Sequence, residues 1–213
     1  MPNAHYVSET TPHGIRVTAA NPLFFDAFRK RSQRLEQADL KGLPECRFLD
    51  TSPPSRVEDL HGGAVEVRSI EDARELALAC ADLLAGLHSQ GVVHGALCRA
   101  GLRLENAEMV LGGPAPLLTP GMDTSPDVFA GGPPCPRMDV WALGQLMQEL
   151  GNEVEDDLLC KVGAWTTSNR NPALRPSLAD VRERLTERPA RSASLLAGAT
   201  SVGLALFALS FLL

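Results

Sequence analysis

The chain has 213 residues, 44% hydrophobic and 22% charged, an ordinary globular composition and a length that can bury a real core. Its formal net charge of -6 and isoelectric point near 5.4 exclude wholesale nucleic-acid binding, which needs a basic surface to displace phosphate counterions. The five cysteines, Cys46, Cys80, Cys98, Cys135 and Cys160, fall in no Cys-x-x-Cys or metal-type histidine spacing, so they read as reduced thiols of a cytosolic compartment.

From the amino terminus, HYVSE and GIRVTA are extended runs joined by the turn TPHG, which predicts a hairpin. A helix follows, with Phe24, Phe28 and Leu35 at near-helical spacing and Arg29, Lys30, Arg31 and Arg34 filling a basic face. Such a face is ordinarily solvated, and in a membrane-anchored protein it would also suit anionic lipid. Short strands are expected at CRFLD and AVEV, separated by the loop TSPPSRVEDLHGG.

Ser69 with Asp72 three residues later forms a capping-box pattern, and Leu76, Cys80, Leu83, Leu84 and Leu87 mark one face of a long helix that Gly91 stops. LRLEN and AEMVL read as short strands, followed by a Gly/Pro-rich loop that begins at Gly112. DVWALGQLMQEL predicts a buried helix running to Gly151, and DDLLCKVGAW predicts another. The last soluble helix opens at Ser177 with Asp180 in the box position, carries Leu178, Val181 and Leu185 on one stripe, and ends before Pro189.

Residues 194–213, SLLAGATSVGLALFALSFLL, carry no charge, and as a helix they would be about 30 Å long, the thickness of a bilayer core. Their apolar side chains lie all round, which argues against a core helix with one buried stripe. Arg182, Arg184, Arg188 and Arg191 precede the segment, so the expectation is a tail anchor with the preceding domain on the cytoplasmic side. The start, MPNAHYVSET, lacks the charged and apolar regions of a signal peptide.

Three stretches in order resemble the protein kinase-like superfamily. GLHSQGVVHGALCRAGLRLENAEMVL is similar to the catalytic-loop region, where a helix ending in Leu-His precedes the His-Arg-Asp-Leu motif. SPDVFAGGPPCPRMDVWALGQLMQEL is similar to the Ala-Pro-Glu motif and the Asp-Val-Trp-x-Leu-Gly opening of the family's central buried helix. LLCKVGAWTTSNRNPALRPSLADVRERL is similar to the closing region. The resemblance implies a bilobal α+β kinase-like fold: a truncated amino-terminal lobe over residues 1–68, a helical carboxy-terminal lobe over 69–188, a linker at 189–193 and the anchor at 194–213.

It also assigns roles. Asp139 corresponds to the residue that accepts hydrogen bonds from the catalytic-loop backbone, Asp127 to the acidic end of the Ala-Pro-Glu motif and Arg175 to its buried ion-pair partner, while Trp141, Leu143 and Gly144 hold the helix core. The positions that carry the chemistry are degenerate. Phosphoryl transfer needs a glycine-rich phosphate cover, a lysine on the phosphates, carboxylates for magnesium and an aspartate that orients the nucleophile. Here the His-Arg-Asp position reads His94, Gly95, Ala96, the loop's Lys and Asn become Cys98 and Gly101, and Gly112, Gly113 and Pro114 stand where Asp-Phe-Gly would be.

The nucleotide lysine falls at Ala20, its glutamate partner near Arg31, and too few residues precede the hairpin for the glycine-rich turn. The three lysines of the chain, Lys30, Lys41 and Lys161, all lie elsewhere. The resemblance therefore implies a member that is not an enzyme and binds no cofactor or metal, and together with the expected anchor it implies a scaffold or regulator at the membrane for an unidentified protein partner such as an active kinase or a membrane complex. The competing readings are an atypical nucleotide-dependent transferase using Glu105, Asn106 or His94, and a membrane adaptor unrelated to kinases.

Overall fold

The computed structural model describes residues 6–12, 14–38, 40–60, 62–95, 97–105, 108–112, 125–126 and 135–187. The predicted hairpin is β1 (Tyr6–Thr11) and β2 (Gly14–Ala19), antiparallel with Tyr6 opposite Ala19. Gly14 turns the chain at φ 122°, and a Cβ there would lie 2.0 Å from the Glu58 carbonyl oxygen, so a side chain is excluded on both grounds. After a short 3-10 turn at Pro22–Phe24, α1 (Phe25–Glu36) lays Phe28, Ser32 and Leu35 inward.

Two further strands, β3 (Glu45–Leu49) and β4 (Ser55–Asp59), complete an antiparallel sheet of order β1-β2-β4-β3. This corrects the expectation at TSPPSRVEDLHGG: Ser55–Asp59 is an inner strand, flanked on both sides, and not a loop. Its inward positions are Arg56 and Glu58 where apolar residues would announce a strand, and they are accommodated because they pair with each other. The AVEV strand is also shorter than expected. Only β5 (Gly63–Ala64) is paired, against Leu104 and Arg103, before the chain turns toward the Ser69 cap.

The remaining body is helical. In α2 (Ile70–Ser89), Ser69 Oγ accepts from the Asp72 amide at 3.1 Å, and Gly91 exits at φ 71°. Strands β6 (Leu102–Glu105) and β7 (Glu108–Leu111) form a hairpin beside β5. Helices α3 (Pro136–Glu153), α4 (Asp157–Thr166) and α5 (Leu178–Thr186) follow, the last with a complete Ser177/Asp180 capping box.

One apolar cluster runs from Leu35 of α1 through Leu76, Leu84 and Leu87 of α2, Leu143, Leu146 and Leu150 of α3, and Leu159 of α4 to Val181 of α5. Each fully buried leucine contributes roughly 1.5–3 kcal/mol, so this body holds most of the hydrophobic stabilisation. A smaller cluster of Val17, Ala19 and Phe28 joins the sheet to α1.

Two contacts fasten the helices. Arg74 of α2 forms a bidentate pair with Asp156 (2.6 and 2.8 Å), while Asp156 Oδ1 also caps α4 by accepting from the Leu158 amide. Where α3 crosses α4, glycine meets backbone: a Cβ at Gly144 would lie 1.8 Å from Thr166 Oγ1, and one at Gly163 2.6 Å from the Gly144 carbonyl oxygen.

Among the described residues no helix is long and apolar enough to cross a membrane. The expected anchor at 194–213 lies outside them, as do the linker and Pro189.

Candidate functional site

The segment that links α2 to β6 is held by a buried carboxylate. Asp139, in the first turn of α3 and 0% exposed, accepts from the His94 amide at 2.8 Å through Oδ2 and from the Gly95 amide at 2.7 Å through Oδ1. His88, near the end of α2, places Nε2 2.8 Å from Oδ2, and it must donate because a carboxylate only accepts. One side chain thus fixes two consecutive backbone amides and the end of a helix. Gly95 adopts φ 77°, a conformation that L side chains rarely take, so the loop needs glycine there.

From the opposite side the same loop is held by a cation. Arg31 of α1 donates through Nη2 to the carbonyl oxygens of Val93 and His94, the latter at 2.8 Å. These bonds reach across more than sixty residues and tie the sheet region to the helical body. Burial lowers the Arg31 pKa to about 10, with the positive charge of Arg56 adding to the effect and Asp139 opposing it.

Behind Arg31, on β4, Arg56 donates to Glu58 Oε1 through Nε at 2.7 Å and through Nη2; both side chains are 1% exposed. Val17 lies opposite Arg56 and Ile15 opposite Glu58 in the β2–β4 register, so the pair shares the face of β2 that carries the buried Ala19. Ala20 follows β2 and is exposed, and a shift of one residue in the matched position gives Ala19, which also carries no amine. Lys30 is exposed on α1, Lys41 pairs with Glu108 at 2.7 Å, and Lys161 with Asp157 at 3.2 Å.

His94 is fully buried, and burial depresses its pKa to about 4 despite the attraction of Asp139. Gly112 closes β7, donates its amide to the Gly101 carbonyl at 3.0 Å, and leaves space that Leu60 fills: a Cβ would fall 2.5 Å from a Leu60 methyl. Ala96, Gly113, Pro114 and Asp127 lie outside the described residues, as does Asn106; Glu105 ends β6 opposite Glu108.

Arg175 is 2% exposed and donates to the carbonyl oxygens of Asn169, Arg137 and Arg170 at 3.0, 3.1 and 2.9 Å, with its guanidinium 5.0 Å from the Trp141 ring centroid. It therefore joins the start of α3 to the segment before α5, and Gly144 lies in the α3–α4 crossing. The structure brings His94, Gly95 and Asp139 together around one loop, with Gly112 at the end of the neighbouring strand; Trp141, Gly144 and Arg175 belong to the supporting body. Sequence reasoning missed His88, the Arg56–Glu58 pair and the inward role of Arg31. The signal for the last was present, since position 31 is three residues after Phe28 and four before Leu35, on the buried stripe.

No protein-family model matches the chain, and no curated protein matches it in sequence. Solved structures do. The Mycobacterium tuberculosis PknI kinase domain superposes with a TM-score of 0.65 at 16% identity, covering 85% of this chain and 90% of that one. A double mutant of that domain gives a TM-score of 0.63 at 18% identity, covering 86% and 96%, and a single mutant gives 0.60 at 17%, covering 85% and 96%. Identities this low carry the architecture alone, and the architecture is a bilobal protein kinase-like fold.

Proposed function

We propose that this kinase-like chain is catalytically inactive and works by binding another protein, tethered to a membrane by residues 194–213. The observation that carries the reading is Arg31. Near the position where an active kinase would pair a helix glutamate with the nucleotide lysine, this chain has the opposite charge in Arg31, and its guanidinium is engaged by the carbonyls of Val93 and His94. The matched position is Ala20, and the buried Arg56–Glu58 pair lies on the face of the sheet that carries its neighbour Ala19. The residues present do not fit a nucleotide with magnesium: no lysine is on β2, and Gly101 and Gly112 stand at the metal-ligand positions.

What the residues support is a fixed shape. Asp139 and Arg31 hold one loop between the sheet and the helical body, so the surface presented to a partner is pre-organised, which lowers the ordering cost of association. The partner fitting this reading is a cytoplasmic or membrane-bound protein, such as an active kinase.

The test is the full chain in detergent with ATP and magnesium. Thermal unfolding should be unchanged, whereas a ligand at a hundred times its dissociation constant would add about 2.7 kcal/mol. No labelled phosphate should pass to the chain or to added protein substrates. A nucleotide-dependent rise in melting temperature accompanied by label transfer would overturn the inactive reading. Recovery of the full chain in the membrane fraction, and of a chain ending at residue 190 in the soluble fraction, tests the tether; equal distribution of the two would overturn it.

A further inference from the structure

Between α1 and the turn that follows α2 lies a groove of about 330 Å³, lined by Ala27, Lys30, Arg31 and Arg34 from the helix and by Gly91, Val92 and Val93 from the turn. Positions 27, 30, 31 and 34 are spaced by three and four residues, so they share one helix face. Three of the seven lining residues are cations and none is acidic, in a chain whose net charge is -6. Arg29, on the same helix, is engaged elsewhere by Asp26 and Asp50 at 3.3 and 3.0 Å. Among the described residues neither Lys30 nor Arg34 forms a salt bridge.

Arg31 is the inner member of the set. Its Nη2 is engaged by two neutral carbonyls, and its buried Nε has no hydrogen-bond partner. Carbonyl dipoles position a guanidinium without cancelling its charge; of the charges around it, Asp139 attracts it, while Arg56 repels it and is itself paired with Glu58. The groove therefore combines an inner cation held by backbone carbonyls with two exposed outer ones.

We propose that this groove binds a phosphate-bearing anion, with Lys30 and Arg34 closing on its oxygens and Arg31 supplying fixed charge from within. A phosphate monoester carries nearly two charges and three acceptor oxygens, which suits three cations better than a single carboxylate does. The two available sources are a free phosphate compound and the headgroup of an anionic lipid. Neither depends on whether the chain transfers phosphate.

Calorimetry on the full chain in detergent tests this with inorganic pyrophosphate and, separately, with dihexanoyl phosphatidic acid against dihexanoyl phosphatidylcholine. At least one phosphate probe should bind, and Lys30→Gln combined with Arg34→Gln, which removes two of the three cations, should weaken it about tenfold or more. Both substitutions are at exposed positions, so the urea midpoint should stay that of the parent. Binding of phosphatidic acid alone assigns the headgroup; binding of pyrophosphate, with or without the lipid, assigns the phosphate group itself. Binding of neither probe, or binding that the double variant leaves intact, overturns the proposal. The second outcome also separates this groove from any residual nucleotide site.

Discussion

The helical body and the small sheet are stabilised in different ways. The body is a continuous apolar core in which the buried Asp139 and Arg175 are hydrogen-bonded to backbone and the buried Asp156 to Arg74. The sheet has only a small apolar cluster and buries a charge pair within one strand, Arg56 with Glu58, beside an inward-facing Arg31. The comparison teaches that a loop can be well defined when both neighbours grip its backbone. Asp139 holds the amides and Arg31 the carbonyls, and neither contact depends on the loop's side chains.

The largest expected effect breaks the comparison from the helical side. Asp139→Ala leaves the His94 and Gly95 amides and His88 without their acceptor in a buried site, at a cost of roughly 3–5 kcal/mol, which urea unfolding would read. A midpoint equal to that of the parent would mean that the body does not hold the loop. On the sheet side, Glu58→Ala alone should cost about as much by removing the carboxylate to which the buried Arg56 donates, whereas Arg56→Met with Glu58→Leu should be near neutral, because apolar side chains often replace a buried pair without loss. If single and double variants are equally damaged, the pair has a role beyond packing.

The third prediction concerns pH. His94 is held neutral with a pKa of about 4, below the 6.5 of the unfolded chain, so the unfolded state binds more protons between those values. Its contribution is complete above pH 6.5 and is lost as pH falls toward 4, about 3 kcal/mol in all. Carboxylates titrate in the same range, so the readout is the difference between the parent and His94→Leu. The parent should lose stability faster over that window, and parallel curves would contradict a buried neutral imidazole.

The smallest effect sharpens the picture of the helical body. Arg74→Ala should cost roughly 1–2 kcal/mol, because Asp156 loses a bidentate partner but keeps its capping bond to the Leu158 amide. The Arg74 contact holds the Asp156 carboxyl below the ordinary carboxylate range. The pair's contribution is thus present above the unfolded pKa and disappears in acid, so parent and variant should converge there. A constant gap at all pH values would point to lost packing.

The helices were legible because their ends are written in local chemistry. Ser69, Ser177 and Asp180 make the capping bonds that their spacing predicts, and Gly91 takes the left-handed exit. Strand β4 was illegible for an equally local reason. An inward alternation of Arg56 and Glu58 looks solvated, and the pairing of each with the side chain two residues away on the same face helps to make it buriable. In the site, resemblance drew attention to Asp139 and His94, but the direction of Arg31 required weighing its place on the apolar stripe above its charge.

The glycine contact between α3 and α4 has a mechanical consequence. Helices separated by ordinary side chains can slide a little as rotamers exchange, but here Gly144 and Gly163 put backbone against backbone with Thr166 wedged alongside. Such a seam has no soft layer in which to shear. Close backbone contact resists sliding of one helix on the other, and Asp139 at the head of α3 bonds the loop to them. The same loop, residues 93–95, is thus bonded on one side to this pair of helices and on the other, through one guanidinium, to α1.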